Sequence, residues 1–429
     1  MKYLIVSVAG LGWRDLRQRK MTRMAGLEFT GAESAFPAVT SVAQASLRTG
    51  VKPKSHGMTS NGHFSRDLRK ASFGEQSSAL VKGARIWDDA GAAAECSVAM
   101  MFFRQSLGES AQIILSPAPI RKYNGGMIGK LYSQPPELER ALGRFRQHNY
   151  WGPMASAAIG DDIIASAEFV IKEDNPDFAF LHLPSLDYDL QRHGPEHPKS
   201  DDAFDQIEEQ LERLAEIAVD HGSEIVVLGD YAITEVTAPP KFPNIELRKA
   251  GFFQTREVNG MSYPDLHNSR AFAMCDHEIA HIYTADSETL EFLEFMFKHE
   301  DGYEKVEVRA AQDWAHASAG ELLLTAKKGS WCAYPWWENK REAPDYASRI
   351  DIRNKPGYDP CELFFGGFFP PRISLDATRV RGTHGRECEV AFASSKPLPS
   401  LPPFPSPDEI GAALKRAFDE EAAFGDEDF

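Results

Sequence analysis

Cysteine is scarce in this chain. Cys96, Cys275, Cys332, Cys361 and Cys388 are five in 429 residues, odd in number, scattered, and without a CxxC pair. A disulfide framework or a zinc–thiolate site is therefore not expected, and a reducing, cytoplasmic setting is the default. Long apolar runs are missing too, so no span of a bilayer is expected. The opening MKYLIVSVAGLGWRDL passes from a short apolar run straight into charge, without the cleavage site of a secretory signal. Positive charge is in deficit: the formal balance is −16 at pH 7. That argues against a nucleic acid polymer or an anionic membrane as the main partner. No internal repeat and no linker forces a domain boundary.

What is present is enough apolar residue, 42%, for a sizeable core. YLIVSVAGLG reads as a buried parallel strand ending in a glycine turn. DFAFLHLPSLDYD holds a second buried strand over 178–183, and EIVVLGD a third. Between them DDAFDQIEEQLERLAEIAVDHG is amphipathic, with Ile207, Leu211, Leu214 and Ile217 on one face. Strand, helix, strand predicts a right-handed crossover in a parallel sheet. RAFAMC and HIYTAD read as strands, and ETLEFLEFMFKHEDG as a helix. The expectation is an α/β protein with a mostly parallel central sheet and helices on both faces. One domain spans 1–410, with a loop-rich lobe over 265–400 covering the site. A C-terminal helix and acidic tail, frayed at its end, occupy 411–429.

The stretch FPAVTSVAQASLRTGVKPKSHGM, 36–58, places Thr40 and Ser41 at the start of a short helix that Gly50 stops. Arg48, Lys52, Lys54, Arg66, Arg69 and Lys70 follow against Asp67. Such a run is ordinarily solvated surface. After a hydroxyl-bearing helix start, in an acidic protein, it also suits steering of a small anion. Open parallel sheets form sites at the carboxyl ends of their strands. That rule selects Ala9-Gly10, Leu186-Asp187, Asp230-Tyr231 and the loop carrying Thr40. Asp187 and Asp230 serve equally well as turn formers singly; as a pair beside a hydroxyl they favour a metal or acid–base cluster. His384, between Gly382 and Gly385, has room to approach a ligand closely. WCAYPWW, 331–337, reads as packing.

These pieces in order, PAVT (37–40), TG (49–50), PKSHG (53–57), Asn61 and THG (383–385), resemble the alkaline phosphatase superfamily, in its nucleotide pyrophosphatase/phosphodiesterase branch. Gln44, Asn61-Gly62, FSRDL (64–68), LDYDLQRHGP (186–195), AFAMCDHEIAHIY (271–283) and KPGYDP (355–360) resemble a bacterial subgroup of it. The resemblance implies an alkaline-phosphatase-like fold. It implies Thr40 as a nucleophile toward phosphorus, Asn61 as a donor to a phosphoryl oxygen, and Asp187, Asp230 and His384 as metal ligands.

Three positions depart from that pattern: Ala9 and Tyr231 stand where the branch has ligands of the nucleophile-activating metal, and Gln191 where it has one of the other. What remains suits one divalent ion, zinc or manganese, rather than two, with a metal-free site as the alternative. Gln191 and Tyr231 then become substrate-binding candidates. A register shift making His193 a ligand, and a hydrogen-bonded sheet position for His281, are the readings of the nearby histidines; on a strand His277 and His281 share one face. The expected activity is hydrolysis of a phosphodiester, pyrophosphate or related phosphorus ester on a small anionic substrate. The alternative is a metal-poor relative with a non-hydrolytic catalytic or binding role in biosynthesis. The oligomeric state is left open.

Overall fold

The computed structural model describes residues 2–88, 96–122, 127–143, 145–351, 353–368 and 371–425. The end of the acidic tail, 426–429, lies outside them. The central sheet is built from β1 (Lys2–Val8), β2 (Thr30–Glu33), β3 (Val98–Met101), β4 (Ile113–Pro117), β5 (Leu131–Gln134), β6 (Phe178–Leu183), β7 (Ser223–Gly229) and β12 (Glu389–Ser394). A smaller sheet is built from β8 (Ala271–Asp276), β9 (Ile279–Thr284), β10 (Tyr303–Val308) and β11 (Leu322–Ala326). The central order is β5-β4-β3-β6-β1-β7-β12-β2. Strands β4, β3, β6, β1 and β7 pair in parallel, while β5 pairs antiparallel with β4 at one edge and, at the other, β12 pairs antiparallel with both β7 and β2.

The parallel strands are apolar on both faces because both faces are covered. Leu4, Val6 and Val8 of β1 share a core with Ile163, Ile164 and Val170 of helix Ala158–Asp174, and with Phe204, Ile207, Leu211 and Leu214 of helix Pro198–Asp220. Tyr3 and Ile5 point the other way, into a core with Leu47 and with Ile410, Ala413 and Leu414 of the C-terminal helix Pro407–Gly425. That helix lies against α1 (Thr40–Thr49) at very short range: a Cβ on Gly411 would sit 2.0 Å from the Leu47 carbonyl oxygen. Gly50 ends α1 with φ +64°, a left-handed position that suits glycine. The aromatic run 331–337 is packing, with Trp331 and Trp336 almost fully buried.

The small sheet is antiparallel in the order β8-β9-β11-β10. Its β8–β9 turn reaches the carboxyl edge of the central sheet, where the Glu278 N–H donates to the His384 carbonyl at 2.8 Å. The sequence reading expects His277 on a strand beside His281. Instead His277 occupies that turn with φ +61°, a conformation uncommon for a non-glycine residue. Also unforeseen is β12, inside the loop-rich lobe expected over 265–400; it pairs with β7 on one side and β2 on the other.

Candidate active site

Thr40 is the first residue of α1, at the carboxyl edge of the sheet, 6% exposed. Its side chain faces Asp230 and Tyr231, which follow β7. Ser7 donates to the Asp230 carboxylate in a short hydrogen bond and accepts from Gln44 Nε2 at 3.1 Å, so α1 is clamped to β1 and β7 through one hydroxyl. Burial raises the Asp230 pKa to about 7, against hydrogen bonds from Ser7 and Thr40. Asn61 braces the start of the helix: its Oδ1 accepts from the Ser41 N–H at 3.1 Å. Its own N–H and Nδ2 donate to Asp276 at 2.7 and 3.2 Å. One Nδ2 proton is thereby committed to Asp276, leaving the other to face a ligand.

The opposite wall is helix Ser185–His193, entered directly from β6. Asp187 and Gln191 lie one turn apart, and Gln191 Nε2 donates to Asp187 Oδ2 at 2.6 Å and to the Tyr358 hydroxyl at 3.2 Å. Burial raises Asp187 to about 7, partly offset by hydrogen bonds from Gln191 and Tyr231. His384 Nδ1 donates to the Ala38 carbonyl at 2.8 Å, which leaves Nε2 as the acceptor end of a neutral ring. Burial holds that ring neutral, with its pKa pulled down to about 3. Tyr231 stacks flat on His384 with centroids 3.5 Å apart, and His277 packs on the far side at 3.5 Å and against Tyr358 at 3.8 Å.

Several fully buried polar atoms here have no partner: Asp187 Oδ1, Gln191 Oε1, Asp230 Oδ2, Ser41 Oγ and both ring nitrogens of His277. Buried polar groups are seldom left so, and a cluster of them at a sheet's carboxyl edge marks a place for a ligand. They do not make a two-metal centre. Among the described residues no three His, Cys, Asp or Glu side chains are arranged to hold an ion. The physical reason lies in the replacements. Ala9 offers no donor atom, the Gln191 amide points its N–H groups at Asp187, and Tyr231 lies flat on His384 rather than presenting an imidazole beside Asp230.

The structure thus brings Thr40, Asn61, Asp187, Gln191, Tyr231, Asp230 and His384 to one place. His193 lies outside it, at the end of its helix, 4.0 Å from Asp189 and stacked on His197. His281 is a satisfied sheet residue, its Nε2 bonded to the Thr59 carbonyl at 2.9 Å. Missed from the sequence were His277, Asp276, Tyr358 and Ser7. The turn sequence Asp-His-Glu between two strands, and the KPGYDP segment, were the signals available for three of them.

The model of the type I phosphodiesterase / nucleotide pyrophosphatase family matches residues 3–359. The chain belongs to that family. A search of curated proteins by sequence finds no match. Among solved structures, phosphonoacetate hydrolase from Sinorhizobium meliloti 1021, in complex with phosphonoacetate, superposes with a TM-score of 0.62 at 16% identity, covering 97% of this chain and 96% of that one. Murine ectonucleotide pyrophosphatase / phosphodiesterase 5 superposes with a TM-score of 0.58 at 13% identity, covering 98% and 95%. An inactive threonine-to-alanine variant of the murine protein, solved with AMP, matches equally. At such identities the likeness shows the fold: alkaline-phosphatase-like, with a large, mostly parallel central sheet and helices. Among the described residues no helix is long and apolar enough to cross a membrane.

Proposed function

We infer that this family member hydrolyses a phosphorus ester or anhydride on a small anionic substrate, with Thr40 as nucleophile. The observation that carries the reading is the placement of Thr40 at the first turn of α1, facing Asp230, beside a cluster of unpartnered buried polar atoms. The inactivity of the murine protein's threonine-to-alanine variant is in keeping with it. The Thr40 oxygen attacks phosphorus in line as its proton passes to Asp230, the carboxylate it faces. The P–O bond to the leaving group breaks with its electron pair on oxygen, and that oxygen takes a proton from water. The hydroxide so formed attacks the phospho-threonine, the P–Oγ bond breaks, and Asp230 returns the proton to Thr40. The α1 N-terminus and Asn61 favour the anion throughout. No step is routed through a metal, because Ala9, Gln191 and Tyr231 remove the donors a second-ion mechanism needs.

The test is turnover of a panel of phosphodiesters, pyrophosphates and phosphonates by wild type and Thr40→Ala. A loss on the order of 10⁴-fold with an unchanged fold is expected; near-wild-type turnover by Thr40→Ala overturns the reading. A second reading is favoured by the Gln191 amide closing on Asp187 and by Tyr231 covering His384: a binding or acid–base site that does not hydrolyse. It predicts ligand binding and no turnover with any member of the panel.

A further inference from the structure

Arg48, Arg66 and Arg69, downstream of Thr40, are engaged away from the site and do not supply its positive charge. Arg48 is fully buried and pairs with Glu109 at 3.3 Å. Arg66 pairs with Glu321 at 2.8 Å, and Arg69 bonds the carbonyls of Leu266 and Ser269 at 2.7 and 2.6 Å. Three buried carboxylates, Asp187, Asp230 and Asp276, line the pocket, so an anion entering it meets repulsion unless a cation is fixed nearby.

Arg104 is such a cation. It follows β3, whose neighbour in the sheet is β6, the strand that leads to Asp187. Its backbone N–H donates to Gln44 Oε1 at 2.8 Å, the same side chain whose Nε2 holds Ser7 against Asp230. The turn around it is left-handed at two non-glycine residues, Phe102 (φ +63°) and Gln105 (φ +49°). Each such residue costs about 1–3 kcal/mol and persists where its surroundings over-determine it. Here they do: Phe102 N–H donates to Leu115, Gln105 N–H to Gln76 Oε1 at 3.1 Å, and Arg48 Nη1 to the Gln105 carbonyl at 2.9 Å. The buried Arg48 therefore serves the turn rather than the substrate. Arg104 is partly buried as a residue and, among the described residues, forms no ion pair within 4 Å. Its field reaches Asp187, Asp230, Asp276 and Tyr358, opposing the burial that raises each of their pKa values.

We propose that Arg104 is the anion-binding residue of this site, its guanidinium fork taking two oxygens of a phosphoryl or phosphonyl group presented to Thr40. It rests on the reading of the site given above, but supplies in fixed form the positive charge that the replaced ligands no longer hold. Guanidinium matches tetrahedral oxyanions in bidentate fashion, which an ammonium does not.

The test is calorimetric titration of the full chain with inorganic phosphate at low salt, which needs no turnover. Arg104→Met weakens binding by about tenfold or more, the loss of one charged hydrogen-bond pair, and Arg104→Lys falls between Arg104→Met and wild type, with circular dichroism and thermal melting of both variants matching wild type. Phosphate binding by Arg104→Met equal to wild type overturns the proposal, and so does a wild type that binds no phosphate. Arg104-dependent binding without hydrolysis of any substrate would leave it standing and sink the nucleophile reading instead.

Discussion

The two walls of the pocket differ in how their polar atoms are satisfied. On the α1 side the supports of the hydroxyl are bonded in series, with Asp230 Oδ2 and Ser41 Oγ left unpartnered: Gln44 holds Ser7, Ser7 holds Asp230, and Asn61 joins the start of the helix to Asp276. On the Asp187–His384 side the side chains mostly cover one another, and Asp187, Gln191 and His277 keep unpartnered atoms in full burial. The first wall fixes the start of α1 and the Thr40 hydroxyl through a chain of hydrogen bonds. The second keeps Asp187 and His384, but the Gln191 amide closes on Asp187 and the Tyr231 ring covers His384. The difference teaches that one edge of this sheet can fix a helix start by hydrogen bonds while the facing edge fills its space with stacked rings and an amide.

Opposing substitutions break or sharpen that contrast. The largest expected effect is on the first wall: Asp230→Asn lowers turnover by about 10³-fold, whereas Asp187→Asn lowers it by no more than about tenfold. Steady-state kinetics on both variants decide it, and the reverse order would show the second wall to be the working one.

Next is the scaffold of the second wall. Lys355 is buried with Asp359 and Glu362, each 2.6 Å away, and Trp151 Nε1 donates to Glu362 at 2.5 Å. Burial alone would lower the Lys355 pKa, but the two carboxylates more than offset it and hold the ammonium charged. This cluster braces the loop that carries Tyr358 to Gln191. Lys355→Met leaves two buried carboxylates facing each other and costs about 3–5 kcal/mol, read by denaturant unfolding.

A smaller effect belongs to the brace of α1. His56 Nδ1 accepts from the Met58 N–H at 3.1 Å and Nε2 meets Ser46 Oγ at 3.0 Å, so the ring is neutral in the fold. Burial and then Arg48 pull its pKa from 6.5 to about 3. A depressed histidine contributes stability that is fully present above the unfolded pKa and is lost as pH falls from 6.5 through 3. Relative to His56→Gln, wild type therefore loses about 1.4 kcal/mol per pH unit in that window. Equal acid slopes for the two proteins would refute it.

The smallest effect is on metal removal. Dialysis against a chelator is expected to leave turnover unchanged. A loss restored by zinc or manganese would show that the second wall still holds an ion, and would erase the contrast drawn here.

Much of the fold was legible because its signals are local. The strands Lys2–Val8, Phe178–Leu183 and Ser223–Gly229, and the helix Pro198–Asp220, carry their apolar pattern on their own residues. Thr40 was legible for the same reason: the entry through Pro37, the small-residue helix and the Gly50 stop are contiguous. Strand β12 was not, since it borders Pro-rich chain and its partner β7 lies far upstream. Arg104 carries no motif, and only an apolar run, VAMMFF, precedes it. His281 reads as easily as a ligand as His277 does, yet one is bonded into the sheet and the other is placed at the site by a hairpin turn with positive φ.

By itself the sequence determined the parallel sheet, the family and the helix that Thr40 begins, because periodicity and contiguous motifs act over a few residues. It also determined the loss of donors at Ala9, Gln191 and Tyr231, which is a matter of side-chain identity. Only the tertiary structure decided that Tyr231 lies flat on His384, that Arg48 is buried beneath a turn, and that the Arg104 backbone is bonded to Gln44 beside Ser7. Those placements depend on contacts between segments tens to hundreds of residues apart, and their burial is settled only when the sheets and helices close over them.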